Sequence, residues 1–183
     1  MDLAAIDHLL DVEAATCRVV IETPKGSRSK YTYDRATEAF EISGLLPTGM
    51  SFPLDFGLVP RTLAEDGDAI DILVIGDEPA AVGCLAHVRL LGVIKAMQTE
   101  RDGRVHRNDR LIGRLALSVS YAHANDIDDL ETSFVEHLGQ WFTNFNALKG
   151  KGFEVIGVGG PDETVALIEQ AGRHFDAGAP GRR

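Results

Sequence analysis

Glu65-Asp66-Gly67-Asp68-Ala69-Ile70-Asp71 runs directly into Ile72-Leu73-Val74-Ile75. The second segment is a continuous apolar run behind a turn, the pattern of a buried strand. The first crowds carboxylates into one bend at the mouth of that strand. Like charges so close repel, and each loses hydration as the strand packs. A hard divalent cation seated among the oxygens relieves both costs, and Mg²⁺ completed by phosphate oxygens suits carboxylates drawn from one loop. Asp-Gly is equally a tight-turn signal with solvated acids. On the pattern alone both readings stand, whereas an EF-hand does not, because Asp71 occupies the place where that loop needs glycine.

Outward from this stretch the chain reads as short strands and then two helices. Leu3, Ile6, Leu9 and Leu10 recur at helical spacing, which predicts a short amphipathic helix over residues 2–15. Strands are expected over 17–22, 30–34 and 39–45, with a turn at Lys25-Gly26. Pro47, Gly49, Pro53 and Gly57 predict an irregular crossing over 46–62. The buried strand over 70–75 is followed by a long one over 83–96, where Gly92 marks a bulge. A hairpin turns at Asp102-Gly103, and a strand returns over 111–120. Asp128 and Glu131 have the spacing of a capping box, and apolar residues then recur at three and four from Leu130 to Phe145. That main helix is expected to end at Gly150, before a strand over 153–158 and a second helix opening at Pro161 and carrying Val165, Ile168 and Phe175 inward. A small-residue tail over 177–183 is expected to be mobile. The order predicts one domain over 1–183, mainly β with flanking helices (α+β): a small closed barrel with two helices packed outside.

Composition narrows the function. The 183 residues are 44% hydrophobic, enough for one core. Lysine plus arginine is 18 against 28 acids, a net charge of −10 that disfavours nucleic acid and anionic membranes. Acids interrupt the N-terminal apolar residues and no run is long enough to span a bilayer, so neither a signal peptide nor a membrane helix is expected and a cytoplasmic location is. Cys17 and Cys84 read as buried reduced thiols.

At this level the residues carry a resemblance. Asp66-Gly67-Asp68-Ala69-Ile70-Asp71-Ile72-Leu73-Val74 is similar to the signature of the family I soluble inorganic pyrophosphatases, with Ala69 where that family usually has proline. Val19-Val20-Ile21-Glu22 with Lys30-Tyr31, Met50-Ser51-Phe52-Pro53, Arg89-Leu90-Leu91-Gly92-Val93 and Asp126-Ile127-Asp128-Asp129-Leu130 resemble other parts of the family in the same order. The resemblance implies a five-stranded OB-type barrel, Mg²⁺ (with Mn²⁺ as an alternative) as cofactor, pyrophosphate as substrate, and a homo-oligomer, often a hexamer in bacteria. It implies Asp66 and Asp71 as metal ligands, Glu22 near the metals, Asp68 as general base and Lys30 as a phosphate contact. For the third metal carboxylate it favours Asp109, with Asp102 as the alternative. Arg110 then stands where the family has a phosphate-binding lysine.

Departures concentrate on substrate contacts. Gly44 replaces an arginine, Thr32 a glutamate, Phe56 a tyrosine, Gln98 an acid, and Phe145-Asn146 a Tyr-Lys pair. Arg61, Lys95, Arg104, Arg107, Lys149 and Lys151 are candidates to compensate, and His106 to join the site. Against hydrolysis of pyrophosphate stand two rivals: a paralogue acting on a larger diphosphate, and a non-catalytic metal-binding or regulatory protein.

Overall fold

The computed structural model describes residues 2–65 and 67–178. Among the described residues nine strands are present: β1 (Thr16–Thr23), β2 (Ser29–Asp34), β3 (Ala39–Leu45), β4 (Asp55–Leu58), β5 (Asp71–Ile75), β6 (Leu85–Thr99), β7 (Val105–Arg107), β8 (Arg110–Leu115) and β9 (Gly152–Gly159). The helices are α1 (Thr132–Ala147) and α2 (Pro161–Gly178). Strands β1, β4, β5, β8 and β6 pair in that order, and β6 pairs back onto β1, so five strands close a ring as expected. β7 and β9 extend β6 beyond the ring, and β2–β3 form a separate hairpin.

The run Ile72–Ile75 is central because both its faces are buried. Ile72 and Val74 pack with Val19, Ile21, Leu90 and the α2 residues Val165 and Ile168. Leu73 and Ile75 pack with Phe56, Ile112 and the α1 residues Leu138 and Phe142. Alternate side chains of one strand thus bind the sheet to each helix, which accounts for an unbroken apolar run. The bulge expected at Gly92 is present as a register shift between β6 and β8.

Four expectations are corrected. Residues 46–62 are not wholly irregular: they contain β4, which pairs with β1 and β5. Gly57 is there for close approach, since a Cβ at that position would lie 2.2 Å from the Val20 carbonyl oxygen. The N-terminal helix is reduced to a single 3₁₀ turn, Leu3–Ala5. Side chains there compete for the backbone: Asp7 Oδ1 accepts from the Leu9 amide at 2.8 Å, His8 Nδ1 from Leu10 at 3.2 Å and Asp11 Oδ1 from Ala14 at 2.9 Å. The main helix starts at Thr132, not Asp128. The capping box forms five residues before the N-cap of α1, Glu131, between Asp126 and Asp129 on a 3₁₀ turn. Finally, Cys17 is buried but Cys84 is exposed. Of the tail, Ala177 and Gly178 close α2, and 179–183 lie outside the described residues.

Candidate active site

The open ends of β1, β2 and β5 and the C-terminal turn of α1 border one cleft of about 1050 Å³. Glu22, near the end of β1, is only 4% exposed. Its Oε1 accepts the Tyr33 amide at 2.7 Å. Burial pushes its carboxyl up to about 7; the Tyr33 hydrogen bond and Lys30 oppose the shift, and the charges of Asp71 and Asp68 add to it. Gly67, at φ +92°, makes the bend that precedes β5. Asp68 and Asp71 both line the cleft after that bend. Asp66 lies outside the described residues. Lys30 enters from β2, its ammonium 5.4 Å from the centre of the Phe56 ring.

Arg110, the first residue of β8, faces the same space. It is 7% exposed, and its Nη1 meets Asp71 Oδ2 at 2.5 Å. The same nitrogen donates to Asn108 Oδ1 and to the Asp109 carbonyl at 3.1 Å. Its Nε is buried with no hydrogen-bond partner among the described residues. The guanidinium also lies 5.3 Å from the centre of the Phe142 ring. From Asn108 a polar chain continues: Nδ2 donates to Gln98 Oε1 at 2.9 Å, Gln98 Nε2 to Glu100 Oε1 at 2.6 Å, and Lys151 Nζ meets Glu100 Oε2 at 2.6 Å. Hydrogen bonds from Lys151, then Gln98 and His106, hold the Glu100 carboxyl down at about 2.

The structure therefore gathers Glu22, Lys30, Asp68, Asp71 and Arg110 in one cleft, with Arg104, His106, Lys149 and Lys151 among its lining. It does not bring Asp109 there. Successive residues of an extended chain point to opposite sides. Asn108 and Arg110 take the cleft side, and Asp109 lines a neighbouring cavity of about 210 Å³. There its Oδ1 accepts from Arg107 Nε at 2.5 Å and the Ala96 amide at 3.0 Å. Asp102 is exposed and tied to Arg104 at 2.7 Å. Neither carboxylate offered for the third metal position faces the site, and amides, Gln98 and Asn108, stand beside Arg110 instead. Arg61 and Lys95 also point elsewhere, into ion pairs with Asp176 and Glu163.

The donor set fits a hard cation. Glu22, Asp68 and Asp71 offer only oxygen, and bound positive charge offsets both the burial that chiefly raises Glu22 and the lesser repulsion from Asp71 and Asp68. Among the described residues no three acidic or histidine side chains already converge on one point. Arg110 supplies the reason on one side, since it already neutralises Asp71. Glu100 and Asn108 were not assigned roles from the sequence, whereas Lys149 and Lys151 were among the candidates to compensate for the missing phosphate contacts. The turn at Gly150, where φ is +69°, lies between Lys149 and Lys151, and both line the cleft.

Comparison with known proteins agrees with this geometry. The profile of a family described as inorganic pyrophosphatase matches residues 19–176. An inorganic pyrophosphatase of Synechocystis is 29% identical over 175 residues, covering 96% of this chain and 99% of its own. One of Thermus thermophilus is 33% identical over 152 residues, covering 83% and 84%. Among solved structures, inorganic pyrophosphatases from Thermus thermophilus and Neisseria gonorrhoeae each superpose with a TM-score of 0.86, at 28% and 26% identity, covering 96% of this chain and 99% of theirs.

Proposed function

Because the chain belongs to the inorganic pyrophosphatase family, we propose that it hydrolyses inorganic pyrophosphate to two phosphates, with Mg²⁺ as cofactor and Mn²⁺ as its alternative. The observation that carries this reading is one cleft lined by the oxygen donors Glu22, Asp68 and Asp71, of which Glu22 is buried, together with the cations Lys30 and Arg110. Glu22, Asp71 and Asp66 would hold the metal. Divalent cations bound there make a bound water more acidic and neutralise phosphate charge. Asp68 accepts the proton of the attacking water as general base. Lys30 and Arg110 bind phosphate oxygens, which fixes the diphosphate for in-line displacement and disperses charge gathering on the leaving phosphate. The pairing of Arg110 with Asp71 orients the guanidinium before substrate arrives.

A homo-oligomer, a hexamer by the resemblance, belongs to the same proposal. Leu117 and Val119, 93% and 83% exposed, and Val155, Ile156 and Val158 along β9 support it as surfaces that a partner subunit would cover. No helix among the described residues is long and apolar enough to cross a membrane. A cytoplasmic place of work completes the reading.

The test is phosphate release from pyrophosphate by the purified protein with Mg²⁺, with Mg²⁺ replaced by EDTA, and with Asp68→Asn. The proposal expects turnover that needs the cation and falls by at least about 100-fold in Asp68→Asn. No release from pyrophosphate at high enzyme concentration refutes it. One observation favours a second reading: the cleft volume reaches the upper end of the roughly 300–1,000 Å³ typical of sites for drug-sized ligands. Release from a larger diphosphate but not from pyrophosphate would select that reading.

A further inference from the structure

The last turns of α1 face the cleft with residues that carry no charge. Phe145 stacks on Trp141, their planes 13° apart and centres 5.1 Å apart. Asn146 is 4% exposed, and its Nδ2 donates to the Phe142 carbonyl at 2.9 Å. Neither offers an ionised group to a phosphate. Lys149 lies two residues past α1, in the turn that ends it, where its amide donates to the Asn146 carbonyl at 2.9 Å. Its side chain turns back over Phe145, and its Nζ lies 3.9 Å from the centre of that ring, inside the cleft.

Of the cations Lys30, Arg110, Lys149 and Lys151 there, Arg110 and Lys151 have acidic partners in Asp71 and Glu100. Burial first, then the charges of Lys30, Lys151 and Arg110, push the Lys149 ammonium down to about 8. Among the described residues, neither Lys149 nor Lys30 belongs to an ion pair with a carboxylate. Lys30 interacts with the charge of Glu22 as well as that of Lys149, so it links the acidic and basic parts of the site. A half-buried group of like charges is costly alone, and a polyanion seated among them removes the cost.

We propose that Lys149 is a substrate contact that binds phosphoryl oxygens of the diphosphate beside Lys30, supplying the charge that Phe145 and Asn146 lack. This rests on the hydrolase reading above, and it assigns a residue to that site. Lys151 is a poorer candidate because Glu100 already holds it.

The test compares Lys149→Met, Lys149→Arg and the control Lys95→Met, whose lysine pairs with Glu163 outside the cleft. Calorimetry measures binding of imidodiphosphate, a non-hydrolysable analogue, with Mg²⁺ present, and steady-state kinetics separates KM from kcat. Lys149→Met is expected to weaken the analogue and raise KM by about 10–100-fold, the range of one charge-assisted contact. kcat should change less than about threefold, as for a contact made equally in ground and transition states. Lys149→Arg should restore most of the affinity, and Lys95→Met should match wild type. If Lys149→Met alters the cooperativity of unfolding, Lys149→Arg and Lys149→Gln decide the matter, because a charge contact orders them Arg above Gln. Affinity and KM within about twofold of wild type in Lys149→Met overturn the inference. If wild type binds imidodiphosphate without hydrolysing any diphosphate, the hydrolase reading falls, while a weakened Lys149→Met still supports the contact. If wild type turns over and Lys149→Met is unchanged, the contact falls alone. If wild type neither binds the analogue nor releases phosphate from pyrophosphate, both fall.

Discussion

Replacing Glu22 by glutamine removes the carboxyl that the fold strains most within the site. Folding buries it to 4% exposure and moves it from an ordinary 4.5 to about 7. At about 1.4 kcal/mol per unit, that displacement of about 2.5 units is worth about 3 kcal/mol. In the unfolded chain Glu22 gives up its proton near 4.5, whereas the metal-free native protein keeps it until about 7. The native state therefore binds the extra proton between those values, and wild-type stability falls as pH rises through the window. Above it the loss is complete and constant. Glu22→Gln carries no such charge, keeps an oxygen that can accept the Tyr33 amide, and escapes the loss. Urea unfolding of metal-free protein from roughly pH 4 to pH 8 measures this directly. Glu22→Gln should gain about 3 kcal/mol on wild type between the two ends. Saturating Mg²⁺ should erase much of that gain, because bound cation stabilises the ionised wild-type carboxylate. Parallel stability curves for the two proteins across pH would refute the reasoning.

Arg110→Gln frees Asp71 from its ion pair, so calorimetry should show tighter divalent-cation binding without substrate, together with a higher KM; unchanged cation affinity would mean that the pair does not compete with metal. Lys149, half-buried and then repelled by Lys30, Lys151 and Arg110, begins to lose its charge near pH 8, so imidodiphosphate affinity should fall above that pH in wild type and not in Lys149→Met. Without ligand the sign for stability is opposite: the unfolded lysine keeps its proton up to 10.5, so this group's contribution to stability increases as pH rises from about 8 toward that value. Gly57→Ala places a methyl group 2.2 Å from the Val20 carbonyl oxygen, and chemical denaturation should show a loss of about 1–3 kcal/mol; a loss within experimental error would contradict the close β1–β4 approach.

Much of the architecture was legible because its signals were redundant. The Ile72–Ile75 run had to be buried on both faces, and it is packed between the two helices. The three-and-four spacing of α1 survived because Leu138 and Phe142 face the sheet. Strand β4 was hidden because Pro53 and Gly57 look like breakers in sequence; only the partner strand reveals that Gly57 is required for fit. The N-terminal spacing misled because Asp7, His8 and Asp11 take backbone amides that a helix would need. Within the site, the bend at Gly67 and the placing of Asp68, Asp71, Glu22 and Lys30 followed from local pattern and resemblance. Asp109 did not, because a shift of one residue along an extended chain exchanges the sides it faces, and Asn108 holds the inward position. Lys149 and Lys151 flank the turn at Gly150, which no spacing rule orients.

The central claim is that the acidic bend before β5 grips cations that in turn grip a diphosphate. Titration of Mg²⁺ into the protein by calorimetry, with and without imidodiphosphate, tests it most directly, with Asp71→Asn alongside. Binding of Mg²⁺ that tightens at least about tenfold when the analogue is present, and that Asp71→Asn weakens, is the predicted result. Mg²⁺ binding that is absent, or indifferent both to the analogue and to Asp71→Asn, would contradict it.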